Sequence, residues 1–132
     1  MLAGPYTTMI LADLGAEVVK IEQPKIGDIT RNLLKDDPKY SLDGIGAYHL
    51  TLGRNKKSVE LNLKSEQGLK LFKELAEVAD VVVDNFSQGV TKRLGIDHQS
   101  LKEVNPKIIT CSISGFGDTE VNRPAYDNLI QG

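Results

Sequence analysis

The stretch SVELNLKSEQGLKLFKELAEVADVVV, Ser58 to Val83, decides the fold class. Its first part, Ser58-Val59-Glu60-Leu61-Asn62-Leu63, alternates polar and apolar residues, the pattern of a strand with one buried face. Ser65 then offers a hydroxyl to cap a helix, and Leu69, Phe72, Leu75, Ala76 and Ala79 recur at helical spacing. Val81-Val82-Val83 follows as a short, fully apolar run, the kind buried on both faces of a parallel sheet. A strand, a helix and a second strand in this order predict a βαβ unit.

The same grammar extends in both directions. Upstream, Pro5 to Leu14 predicts a helix, with proline at its first position, Met9, Ile10 and Leu14 as its apolar stripe and Gly15 as its stop. Glu17 to Glu22 alternates as a strand that Pro24 closes. Gln23 to Gly46 has no clear period and is long for a structureless connector, so it predicts short helical turns or functional contacts. Ala47 to Leu52 reads equally as helix or strand. Downstream, Asn85 to Gly95 predicts a loop with one helical turn, and Asp97 to Val104 a helix that Asn105-Pro106 ends. Lys107 to Ser112 is a further strand, broken by Gly115-Phe116-Gly117. The whole is an α/β pattern, expected to form a doubly wound, mostly parallel sheet with right-handed crossovers. No strand precedes the first helix, and Gln131-Gly132 falls where another helix starts, so a fold truncated at both ends is expected.

Composition narrows the function classes. The chain has 132 residues, room for one domain with a modest core; 40% are hydrophobic and 26% charged, as in ordinary globular proteins. Sixteen basic and 18 acidic residues give a formal net charge of −2, which favours neither nucleic acid nor an anionic membrane. No apolar run approaches the ~20 residues of a membrane span, and the first residues lack the basic start of a secretory signal. Cys111 is the single cysteine, which rules out an internal disulfide and a multi-cysteine metal site and points to a reducing, cytoplasmic setting. With two histidines, His49 and His98, no zinc centre and no other bound metal is expected.

In open α/β sheets ligands gather at the carboxyl ends of the strands. The residues there are Gln23, Lys64, Asn85-Phe86-Ser87 and Ser114-Gly115-Phe116-Gly117. Hydrogen-bonding groups beside an aromatic or a cation suit a ligand with a flat ring and phosphates; equally, strand ends are polar because they meet water. Arg54-Asn55-Lys56-Lys57 is either a phosphate-binding patch or a solvated turn, and Arg93 and Lys64 pose the same choice singly. Gly4-Pro5 opens a helix whose N–H groups can receive an anion, but neither a G-x-G-x-x-G nor a P-loop motif is present. Tyr126-Asp127 reads as an acid–base pair or as the start of a helix, with Asp127 favoured there by the dipole. Cys111 reads as a buried inert thiol, and the two histidines as ordinary side chains.

These segments together resemble the class III CoA-transferase family, which includes formyl-CoA and carnitine CoA-transferases and the 2-methylacyl-CoA racemases. Leu2-Ala3-Gly4-Pro5-Tyr6 and Leu11 to Glu22 look like its opening signature. Gly27-Asp28-Ile29-Thr30-Arg31 is similar to its G-D-x-x-R turn, and Arg54 to Ser58 to its R-N-K-[KR]-S stretch. Asp84-Asn85-Phe86 with Gly89 and Arg93-Leu94-Gly95, then Ser112 to Gly117 and Arg123 to Asp127, complete the set in family order.

The resemblance implies that residues 1–132 form part of a Rossmann-like large domain that holds coenzyme A. It implies a homodimer of interlocked subunits for the full-length enzyme, no tightly bound cofactor, and acyl-CoA and a carboxylic acid as substrates. It assigns CoA contacts to Leu2, Ala3, Gln23, Leu61, Asn62, Leu63, Lys64, Asn85, Phe86, Ser87 and Arg93, with Lys64 and Arg93 toward phosphate. Arg123, Pro124, Ala125, Tyr126 and Asp127 would close over the thioester. The family's catalytic aspartate, which attacks the acyl-CoA to form a mixed anhydride and then an aspartyl-CoA thioester, falls beyond Gly132. No catalytic residue is therefore expected here, and the piece alone is expected to be inactive. Gln23 lacks the positive charge relatives often carry, Gly53 replaces a common asparagine, and Glu120-Val121 stands in place of Gly-Pro. Tyr126 occupies the position of a racemase histidine, and a phenol of ordinary pKa ~10 is a poor base, which favours transfer over racemisation. A racemase and a non-catalytic nucleotide-binding module are the rival readings.

Overall fold

The computed structural model describes residues 2–117, 119 and 125. The chain divides into two compact units, residues 1–68 and 69–132.

The first unit opens with α1 (Ala3–Asp13), and Pro5 lies in its first turn. Gly15, at φ 99°, ends it with the two bonds of a Schellman turn: Gly15 N–H donates to Ala12 (3.1 Å) and Ala16 N–H to Leu11 (3.0 Å). Next come β1 (Val18–Glu22), a 3-10 turn at Ile29–Arg31, and a small antiparallel hairpin of β2 (Ser41–Leu42) and β3 (Ile45–Gly46). The long connector thus carries both a helical turn and a hairpin. The segment with two readings is helical, as α2 (Ala47–Gly53). β4 (Lys56–Glu60) pairs in parallel with β1, from Val18 opposite Lys56 to Glu22 opposite Glu60.

Strand β4 corrects the expectation of Ser58 to Leu63. It begins inside the basic cluster because Lys56 and Lys57 have Val18 and Val19 as ladder partners. The last bond across the pair is from Leu61 N–H to the Glu22 carbonyl (3.0 Å), and beyond it the chain turns on its own Asn62 carbonyl.

Helix α3 (Glu66–Val78) runs from the first unit into the second, and Ser65 caps it through the Gly68 N–H (3.1 Å). In the second unit β5 (Val81–Asp84) is followed by α4 (Val90–Leu94), set between Gly89 and Gly95, both at positive φ. Then come α5 (His98–Val104), capped by Asp97, and β6 (Ile109–Ser112), parallel to β5 from Val81–Ile109 to Asp84–Ser112. Asn105 ties the end of α5 to the end of α3 by donating to the Ala76 (3.0 Å) and Ala79 (2.8 Å) carbonyls. The fold is therefore mixed α/β with short parallel strand pairs, as the alternation predicts, but among the described residues the strands form separate two-stranded sheets, β1 with β4, β2 with β3 and β5 with β6, where a doubly wound sheet was expected.

Two burial expectations change. Val81 is exposed and the rest of β5 is half-buried, so the valine run is not covered on both faces; Cys111 is half-buried as well. The second unit buries Phe72, Ala76, Ile96, Leu101 and Ile108, an ordinary apolar core. The first unit differs: beside Met9, Ala12 and Leu52 it buries Glu22, Thr30 and His49. Buried polar groups need partners, and those partners shape the strand end described next.

Candidate functional site

Glu22, the last residue of β1, is 5% exposed. Its carboxylate accepts two bonds from Arg31, Nε to Oε2 and Nη2 to Oε1, each at 2.7 Å. It also accepts from the Asp28 N–H (2.8 Å) and the Ser58 hydroxyl (2.8 Å). Arg31 above all, with Ser58 and the Asp28 N–H, holds the Glu22 carboxyl at a pKa of about 2 against the opposing effect of burial. Burial also opposes ionisation of Asp28, yet the Lys20 ammonium at 2.6 Å and the Thr30 N–H and hydroxyl outweigh it, and that pKa too is about 2. The Thr30 hydroxyl further lies 3.0 Å from His49 Nδ1, whose ring burial biases toward the neutral form. A fully paired carboxylate is a poor base, so this network holds shape and leaves proton transfer to other groups.

What it shapes is the turn after β1. Gly27 N–H donates to the Gln23 carbonyl (2.8 Å), and Gly27 sits at φ 68°, where a Cβ would lie 2.9 Å from Arg31 Cδ. Gln23 is exposed just beyond β1, and Leu61 is bonded to its neighbour Glu22, so the parallel pair brings Gln23 and Leu61 to one end of the unit. Past Leu61 the loop closes on itself. The Asn62 carbonyl accepts from Ser65 N–H (3.0 Å) and Ser65 Oγ (2.8 Å), and Asn62 Oδ1 accepts from Lys64 N–H (3.1 Å). Gly68 makes this closeness possible, since a Cβ there would stand 2.1 Å from the Asn62 oxygen. Lys64 is exposed and forms no ion pair among the described residues.

The basic cluster before β4 is committed elsewhere. Arg54 and Asn55 bind Asp13 at the end of α1 (Nε–Oδ2 3.1 Å; Nδ2–Oδ1 2.8 Å), and Lys57 pairs with Glu17. Lys56 donates to the Pro5 carbonyl (2.7 Å) and the Thr8 hydroxyl (2.9 Å), and burial, with Lys20 near, lowers its pKa to about 8. Arg54, Asn55 and Lys56 hold α1 to the start of β4, while Lys57 and Glu17 form an exposed surface pair, so most of the cluster is engaged within the chain. Leu2 and Ala3 are exposed at the start of α1, and the side-chain bonds tying α1 to its unit run to the amino start of β4, not to the strand ends.

In the second unit the end of β5 is fastened to the end of β6. Asn85 Nδ2 donates to the Ile113 carbonyl (2.6 Å), Ser112 Oγ to Asp84 Oδ2, and Phe86 N–H to Asp84 Oδ1 (3.1 Å). The Phe86 ring is 41% exposed, and Ser87 accepts the first N–H of α4 through its carbonyl. Arg93, in the last turn of α4, is exposed and outside every ion pair among the described residues. Ala125 is half-buried; Arg123, Pro124, Tyr126 and Asp127 lie outside the described residues. No three metal-ligating side chains come together among the described residues.

A family model, CoA-transferase family III, matches residues 1–132. The chain belongs to CoA-transferase family III. This family member is 44% identical over 129 residues to the human succinyl-CoA:glutarate CoA-transferase, a match that covers 96% of the chain and 28% of that protein. It is 40% identical over 131 residues to the formyl-CoA:oxalate CoA-transferase of Escherichia coli O6:H1 (strain CFT073), covering 98% and 30%. Among solved structures it resembles a CaiB/BaiF family protein from Brucella suis, with a TM-score of 0.88 at 41% identity over 98% of this chain and 35% of that one. The chain thus spans about a third of the length of the relatives it matches.

Proposed function

We propose that this chain supplies CoA-binding surface to an enzyme that transfers CoA between an acyl-CoA and a carboxylic acid. Support comes from family membership across the whole chain and from relatives named as CoA-transferases. The observation that carries the reading is the state of Lys64. It projects from a tightly bonded loop at the carboxyl end of a parallel strand pair and, like Lys25 and Lys35, is exposed and outside every ion pair among the described residues, whereas Lys20, Arg31, Arg54 and Lys57 of the same unit are held by carboxylates. An unpaired ammonium there fits a ligand phosphate.

In this reading, as the resemblance implies, Lys64 and Arg93 meet phosphate charge. Gln23 and Leu61 to Leu63 offer backbone groups and apolar surface, Asn85 to Ser87 border the ligand with an exposed ring, and Leu2 and Ala3 add the start of α1. The resemblance assigns Arg123 to Asp127 to the thioester end. These residues bind and orient; the covalent step falls to the aspartate the resemblance puts beyond Gly132. The whole enzyme is a homodimer acting in the cytoplasm without a tightly bound cofactor.

The test is a transfer assay on the complete protein: an acyl-CoA donor such as succinyl-CoA is incubated with a panel of carboxylic acids and the CoA esters are separated by chromatography. Formation of a new CoA ester at the expense of the donor is expected with at least one acid. Hydrolysis alone, or inversion at the α-carbon of a 2-methylacyl-CoA without any exchange, would overturn the proposal.

A further inference from the structure

We infer that Ser65 and Gly68 are positioning residues for Lys64, setting its ammonium where a CoA phosphate is recognised; the inference rests on the CoA-binding reading above. Three observations within one short segment carry it.

First, the loop is bonded to itself. The Ser65 hydroxyl donates to the Asn62 carbonyl (2.8 Å) and accepts the Gly68 N–H (3.1 Å), so one oxygen joins the loop to the first turn of α3. Second, the Asn62 side chain accepts the Lys64 N–H (3.1 Å), fixing the backbone from which the lysine springs. Third, Gly68 is buried, and a Cβ there would meet the Asn62 carbonyl at 2.1 Å, its carbon at 2.7 Å and Ser65 Oγ at 3.0 Å. Any side chain at position 68 must push the Asn62 carbonyl away, and the backbone of Lys64 moves with it. Backbone oxygen, unlike the end of a flexible side chain, cannot step aside without carrying its neighbours.

A lysine is a point charge on a four-carbon stem, and its rotamer freedom makes the placement of its Cα decisive for a single phosphate contact. The Ser65 hydroxyl also caps α3, so the feature specific to this loop is the close approach of Gly68 to the Asn62 carbonyl, which leaves no room for a side chain. The lock therefore converts a flexible cation into a placed one.

The experiment measures equilibrium binding of CoA and of pantetheine, which lacks the phosphates, to the complete protein and to Lys64→Ala, Ser65→Ala, Ser65→Thr, Gly68→Ala and the Lys64→Ala/Gly68→Ala double variant, each checked for folding by circular dichroism. Lys64→Ala is expected to weaken CoA about tenfold or more, as loss of a charged hydrogen bond does. Gly68→Ala and Ser65→Ala are expected to weaken CoA by roughly three- to tenfold, as small misplacements do. Pantetheine binding should not change, Ser65→Thr should restore affinity, and the double variant should be no weaker than Lys64→Ala. Gly68→Ala should also flatten the salt dependence of CoA binding, although it removes no charge. If Lys64→Ala weakens CoA while Ser65→Ala and Gly68→Ala do not, the positioning role is refuted and the binding reading stands. Unchanged CoA affinity in Lys64→Ala would refute the phosphate assignment itself. Should Gly68→Ala fail to fold, the Ser65 pair decides alone.

Discussion

Glu22 and Arg31 show how a buried charge can serve a binding surface without touching a ligand. The side chain of Glu22 is 2% exposed against 32% for Arg31, so removing the arginine strands a carboxylate that water cannot reach. Arg31→Ala is expected to cost about 3 kcal/mol in a urea titration, the range found when one partner of a buried pair is deleted. A loss below about 0.5 kcal/mol, the value of a surface pair, would show that Glu22 finds water instead. The pH dependence follows with a definite sign. Folded Glu22 and Asp28 hold their protons off to about pH 2, whereas in the unfolded chain they bind protons near their ordinary values of 4.5 and 3.8. Their stabilisation is complete above pH 4.5 and disappears as the pH falls toward 2, because in that window the unfolded chain binds more protons. Urea midpoints of the wild type should fall more steeply than those of Glu22→Gln between pH 5 and pH 3; equal slopes would contradict the assignment. The alternation in Glu17 to Glu22 revealed the strand but not which side faces inward. Lys20 and Glu22 turn in because Asp28 and Arg31 come back to neutralise them. The matching charges in Gly27-Asp28-Ile29-Thr30-Arg31 were visible; that they closed on β1 was not, since the closure depends on a turn made by Gly27 at positive φ.

Among the elements, those with local chemistry were legible in the sequence. Ser65 caps α3, Asn105-Pro106 ends α5 at Val104, and Gly15 stops α1, since each acts within a few residues of itself. The bounds of β4 were not legible, because a strand ends where its partner ends, and β1 stops at Glu22. Nor was α2, for which local propensity was ambiguous. Its start is packed tightly: the N-cap of α2 is Gly46, where a Cβ would lie 2.0 Å from the Leu33 carbonyl oxygen and 3.1 Å from that of Thr30. Backbone at that distance admits no side chain. Gly46→Ala is expected to destabilise the protein by roughly 1–3 kcal/mol, as overpacking does, and to lower the thermal midpoint accordingly; an unchanged midpoint would show that the hairpin of β2 and β3 shifts freely. The basic cluster tells the same story from the other side. Of four consecutive residues that look like a phosphate site, Arg54, Asn55 and Lys56 are spent holding α1, and Lys57 pairs with Glu17 just before β1.

For the whole molecule, family membership was the most legible property, because it is carried by motifs in order along nearly the entire chain rather than by any one site. Relatives of the same family are named as transferring CoA between different pairs of acids, so the shared part of their chemistry is the carrier. The central claim is accordingly about CoA itself, and about the Lys64 ammonium, which pairs with no carboxylate among the described residues. Calorimetric titration of CoA into the complete protein tests it most directly, run beside Lys64→Ala. Saturable binding is expected, with a dissociation constant about tenfold or more higher in the variant. No heat of binding, or the same constant for both proteins, would contradict the account.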